Sequence, residues 1–161
     1  MGDSMSLALS HSGESLEIIA FALHTEQFCV KTTSIREIRG WAPVTPMPGS
    51  PPEILGVMNL RGTVIPIIDL ALKLGMPKAQ INDRSAIVVT NVKDMTIGLM
   101  VDRVSDILTV STDQLQPVPS AAGIATKYAD GIITHDKSMI CFLNLDAIFG
   151  ESEPSEWVAG I

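Results

Sequence analysis

Basic residues are scarce in this chain: 11 Lys and Arg stand against 18 Asp and Glu among 161 residues, for a net charge of −7. None of the 11 forms a run. Nucleic acids and anionic membrane surfaces are held by clustered Lys and Arg, so neither is expected as a partner. Cysteine is scarcer still. Cys29 and Cys141 both fall in apolar strand patterns and are expected as buried thiols of a reducing compartment, with a disulfide between them left open. The three histidines, His11, His24 and His135, lie far apart. No pair of them has metal-ligand spacing, and neither cysteine belongs to a C-x-x-C, so no metal or cofactor is expected. Phosphate-binding glycine loops and a G-x-S-x-G elbow are also missing. No apolar run approaches the length of a membrane span; residues 64–72 are interrupted by Pro66 and Asp69. The N-terminus lacks a charged-then-apolar signal pattern, and the expected location is cytoplasmic.

What is present is a pattern that occurs twice. Sliding residues 15–38 onto 84–107 places Ile18 on Ile87, Phe28 on Ile97, Ile35 on Val104, Glu37 on Asp106 and Ile38 on Ile107. Sliding 56–75 onto 131–150 places Gly56 on Gly131, Ile65 on Ile140, Leu70 on Leu145 and Gly75 on Gly150. A repeat of this kind governs the fold assignment. Two β units of about 60 residues are marginal alone and gain by sharing a core. The expected organisation is a tail over 1–15, one domain over 16–150 and a second tail over 151–161. Its repeats cover about 15–75 and 84–150, and whether they interlace is left open.

Short alternating segments bounded by Gly, Pro and Asp read as strands over 16–23, 54–60, 63–68, 86–92, 96–101, 105–110, 131–134 and 139–143. Arg61-Gly62, Lys93-Asp94 and Asp136-Lys137 mark hairpin turns. Asp69 is expected to cap a short helix that Gly75 ends, and residues 145–149 form its counterpart before Gly150. Ile35 and Ile38, three apart, predict one helical turn. Pro66 removes a ladder donor and predicts an edge strand. Residues 43–52 hold five of the ten prolines and predict an ordered loop or edge rather than a central strand; its Val44 and Met47 suit either packing or docking. Residues 116–127 read as a further loop. The class is mainly β, with small barrels.

Function is sought where the repeats differ. Asn59-Leu60-Arg61-Gly62 in the first hairpin is matched by Thr134-His135-Asp136-Lys137 in the second. A hairpin arginine is most often a solvated turn residue. The sharper reading pairs the Arg61 guanidinium with a carboxylate, either Glu37 or one on a partner.

These residues carry a resemblance. Ile35-Arg36-Glu37-Ile38-Arg39-Gly40, Pro48-Gly49-Ser50-Pro51 and the run from Gly56 through Asn59-Leu60-Arg61-Gly62 and Pro66 to Leu70 resemble the CheW chemotaxis coupling-protein family. The run from Gly98 to Leu108, containing Val101-Asp102-Arg103-Val104-Ser105-Asp106, resembles the second half of the same pattern. The resemblance implies two fused five-stranded SH3-like barrels related by a pseudo-twofold. It also implies a non-catalytic adaptor that couples the cytoplasmic tips of methyl-accepting chemoreceptors to the regulatory domain of the histidine kinase CheA. Ile35, Glu37, Ile38, Arg61, Val101 and Val104 are the implied receptor-binding residues. Val44, Thr45, Met47, Ala122 and Lys127 are the implied kinase contacts. The rivals are a small-ligand-binding or enzymatic barrel and a coupling domain serving another signalling kinase. The former needs a concave apolar pocket with convergent polar groups.

Overall fold

The computed structural model describes residues 14–119 and 127–150. The strands are β1 Ser15–Leu23, β2 Glu26–Lys31, β3 Ile35–Gly40, β4 Ile54–Leu60, β5 Thr63–Asp69, β6 Ala86–Val92, β7 Met95–Val101, β8 Arg103–Ser111, β9 Leu115–Gln116, β10 Ala129–His135 and β11 Ser138–Leu143. Among the described residues, helix is limited to single turns such as Leu70–Lys73 and Leu145–Ile148. The fold is mainly β, as the sequence predicts.

The strands form two sheets, in the orders β8-β1-β2-β11-β10-β9 and β3-β6-β7-β5-β4. The repeat pairs β1, β2 and β3 with β6, β7 and β8, and pairs β4 and β5 with β10 and β11. Under that correspondence the first five strands of one sheet are the image of the other. Each sheet therefore takes its opening hairpin from one repeat. Its third strand and closing hairpin come from the other. Strands joined this way cannot complete either sheet from one repeat.

Local chemistry sets the corners. Arg61 (φ 50°) and Gly62 (φ 91°) both take positive φ, as do Lys93 with Asp94 and Asp136 with Lys137. Two such residues make the turn whose twist suits a two-residue hairpin. Asp69 caps its helix by accepting from Leu72 N at 3.1 Å and also holds Ala79 N at 3.0 Å. The proline-rich loop is fastened to β4 by reciprocal bonds between Thr45 and Val57, both 2.9 Å. Gly56 permits that approach, because a Cβ there would stand 2.4 Å from the Thr45 carbonyl oxygen.

The larger core joins both sheets: Phe21 and Leu23 of β1 lie in one cluster with Ile67 of β5 and Val88 of β6. A smaller core, with Ile18, Cys29, Ile133 and Phe142, fills the β1-containing sheet. Cys29 belongs to the smaller core whereas Cys141 packs against the larger. Both thiols are free.

Two expectations about elements fail. Ile35 and Ile38 lie on strand β3, not on a helical turn. A spacing of three fits a strand edge as well once one residue bulges, and the β3 register to β6 shifts between Ile35 and Glu37. Strand β5 is internal rather than an edge. Pro66 is tolerated because its ladder with β7 begins only at Ile67. Of the expected 116–127 loop, residues 120–126 lie outside the described residues, as do nearly all of both expected tails.

Candidate functional site

Strands β3 and β8 hold equivalent places in the two sheets, each at an edge with one ladder neighbour, β6 and β1. Their sequences alternate so that Ile35, Glu37 and Arg39 are half-buried, and Val104 and Leu108 likewise. Ile38 points outward and is 38% exposed. It opens onto a groove of about 520 Å³ that Arg39, Arg84, Ala86, Arg103 and Val104 also line. This groove brings the edge strand of one sheet against the start of the edge strand of the other.

Beside Ile38, the Glu37 carboxylate accepts from Arg61 Nη2 and from Arg39 Nη1, the latter at 3.4 Å. Glu37 is on the first strand of its sheet order and Arg61 at the tip of the last hairpin. The ion pair therefore closes, through side chains, a curl that no backbone ladder closes. The hairpin tip is held in shape by Asn59, whose Oδ1 accepts from Gly62 N at 2.8 Å, so Asn59, Arg61 and Gly62 act as one unit. The Arg61 guanidinium beside Glu37 holds that carboxyl below its ordinary value, and Arg39 adds to the effect.

The second sheet lacks this pair. Asp106 and Asp136 occupy the positions of Glu37 and Arg61, both beside a groove of about 240 Å³. Asp106 is turned to its own strand, accepting from Ile107 N at 2.8 Å, and Asp136 meets only His135, at 3.4 Å, among the described residues. The two ends are alike in backbone and opposite in charge logic.

The structure sorts the expected site residues. Ile38 and Val104 share the groove, whereas Glu37 and its partner Arg61 line a separate, smaller groove of about 150 Å³ with Leu60 and Thr96. Ile35 is half-buried against the larger core. Val101 is 0% exposed and pairs across the ladder with Ala86, which lines the groove. Val44 packs on the larger core, Thr45 is exposed on the proline-rich loop and Met47 is half-buried there. Lys127 is exposed, its Nζ 5.4 Å from the Tyr128 ring centre. Ala122 lies outside the described residues. Arg84 and Arg103 were not among the expected residues. Their signal is visible only as two of few arginines in an acidic chain.

A CheW-like domain family model matches residues 17–153, more than four-fifths of the chain. The chain belongs to the CheW-like domain family. Two CheW relatives cover most of it. The probable chemotaxis protein CheW of Rhizobium etli is 50% identical over 85% of this chain and 89% of its own length. The chemotaxis protein CheW of Rhizobium meliloti is 46% identical with the same coverage. The crystal structure of the scaffolding protein TtCheW from Thermoanaerobacter tengcongensis superposes with a TM-score of 0.79 at 29% identity, covering 86% of this chain and 90% of that one. Two SH3-like units, one open between β3 and β4 and the other between β8 and β9, fit that CheW scaffold.

Proposed function

We propose that this protein is a non-catalytic chemotaxis adaptor that couples chemoreceptors to the histidine kinase CheA on the cytoplasmic side of a receptor array. The observation that carries the reading is the groove between two pseudo-equivalent edge strands in a chain of the CheW-like family. Ile38 and Val104 form the receptor contact, Ile35 and Val101 support it, and the Glu37–Arg61 pair, in the neighbouring smaller groove, ties β3 to the last hairpin of its sheet. The exposed Thr45, with Met47 and Val44 behind it, and Lys127 form the kinase contact. Holding both partners gives each an effective concentration that neither has alone. Each contact falls near or below about 1,200 Å² of buried surface, small enough to exchange.

Pull-down of the full chain with a receptor cytoplasmic fragment and, separately, with the kinase regulatory domain tests this. Ile38→Asp is expected to lose the receptor and keep the kinase, and Thr45→Glu to do the reverse. Retention of both partners by both variants removes the assignment.

A further inference from the structure

We propose that the groove between β3 and the start of β8 accepts an acidic segment that also bears aliphatic side chains, with carboxylates on Arg84 and Arg103 and aliphatic groups over Ile38 and Val104. The inference rests on reading this groove as the receptor site and adds the chemistry of the segment that enters it.

The chain has 11 Lys and Arg in all and a net charge of −7. Three of those residues, Arg39, Arg84 and Arg103, nevertheless line this one groove. Arg39 is engaged by Glu37. Arg84 and Arg103 are exposed, and neither forms an ion pair among the described residues. The one carboxylate in the lining, Asp83, pairs with neither of them. Arg84 comes from the segment between β5 and β6, and Arg103 from the first residue of β8. The two guanidinium groups thus stand on different elements around an apolar floor of Ile38, Ala86 and Val104.

In an acidic molecule, a local positive concavity draws anions while the rest of the surface repels them. A guanidinium presents a planar fork that matches a carboxylate bidentately. The half-buried Val104 and exposed Ile38 are left to be covered by apolar groups, which a bare anion does not supply. Acid and aliphatic groups together are what the groove complements.

Calorimetric titration of the full chain with a receptor cytoplasmic fragment, across a series of NaCl concentrations, tests the proposal. The unaltered protein should bind more weakly as salt rises. The double variant Arg84→Gln/Arg103→Gln should lose about 5–30-fold in affinity at low salt and most of the salt dependence. Arg84→Lys/Arg103→Lys should keep the salt dependence. Both positions are exposed, so each variant should keep its melting temperature. If the Gln variant binds with unchanged affinity and slope while Ile38→Asp abolishes binding, the acidic partner is overturned and the groove reading stands. If Ile38→Asp also has no effect, both fall. Binding of the unaltered protein to phosphatidylglycerol vesicles, lost in the Gln variant while receptor binding persists, would assign the arginines to lipid and overturn the proposal.

Discussion

Arg61 is 69% exposed and sits on left-handed backbone, the profile of an idle turn residue, yet its guanidinium joins opposite ends of one curled sheet. Reversing it in Arg61→Glu places two carboxylates together where the pair ties β3 to the last hairpin of its sheet. Receptor binding should fall several-fold while thermal stability changes little, because exposed pairs contribute little to folding. The pH dependence has a definite sign. Glu37 titrates lower in the folded chain than in the unfolded one, so the pair's stabilisation is complete above the ordinary carboxylate range. It is lost as pH falls through the lowered value. The melting-temperature difference between the unaltered protein and Arg61→Gln should therefore shrink on acidification, and a difference that grows would contradict the pairing. The cysteines make a separate residue-scale case. Burial pushes the Cys29 thiol up to about 12 and the Cys141 thiol to about 11, with Cys141 and Glu26 respectively adding a smaller push. Thiolate is then a minute fraction at neutral pH. Native protein should react with a thiol reagent far more slowly than urea-unfolded protein, and equal rates would refute the burial.

At the scale of elements, the turns and caps were legible because each depends on residues within four positions. Arg61-Gly62 read as a hairpin, and Asp69 read as a cap, from local chemistry alone. Asp69 proves to do more: it is fully buried and holds Ala79 N, ten residues on, as well as Leu72 N. Asp69→Ala leaves two donors without an acceptor and should cost about 2–4 kcal/mol in urea unfolding. A loss below about 1 kcal/mol, the size of an exposed cap, would show that the second bond is idle. Gly98 on β7 is enclosed too, since a Cβ there would lie 2.6 Å from Ile67 Cδ1 and 2.8 Å from Ile87 Cγ2. Gly98→Ala should therefore destabilise by about 1–3 kcal/mol through overpacking, measured the same way. Strand β3 was misread because Ile35 and Ile38 carry a spacing that helix and bulged strand share. Pro66 was misread because sheet position depends on a partner, β7, some thirty residues away in sequence.

For the whole molecule, exchange of strands between repeats makes the two sheets one cooperative unit. Each repeat alone lacks the opening hairpin on which its other three strands lie. Fragments covering 14–80 and 84–150 should each lack native circular dichroism and regain it when mixed. The intact chain should unfold in a single transition by far-UV circular dichroism and tryptophan fluorescence alike. A fragment that folds alone, or two separated transitions, would contradict the interlacing. The sequence by itself determined the duplicated strand plan, the turn positions and the asymmetry between Arg61 and Asp136, since each is written in neighbouring residues or in periodicity. Only the tertiary structure decided that Val101 is wholly buried, that Ile38 faces Val104, and that Arg84 and Arg103 meet at one groove. Those outcomes follow from which strands pair across the two repeats, and long-range pairing leaves no mark in local spacing.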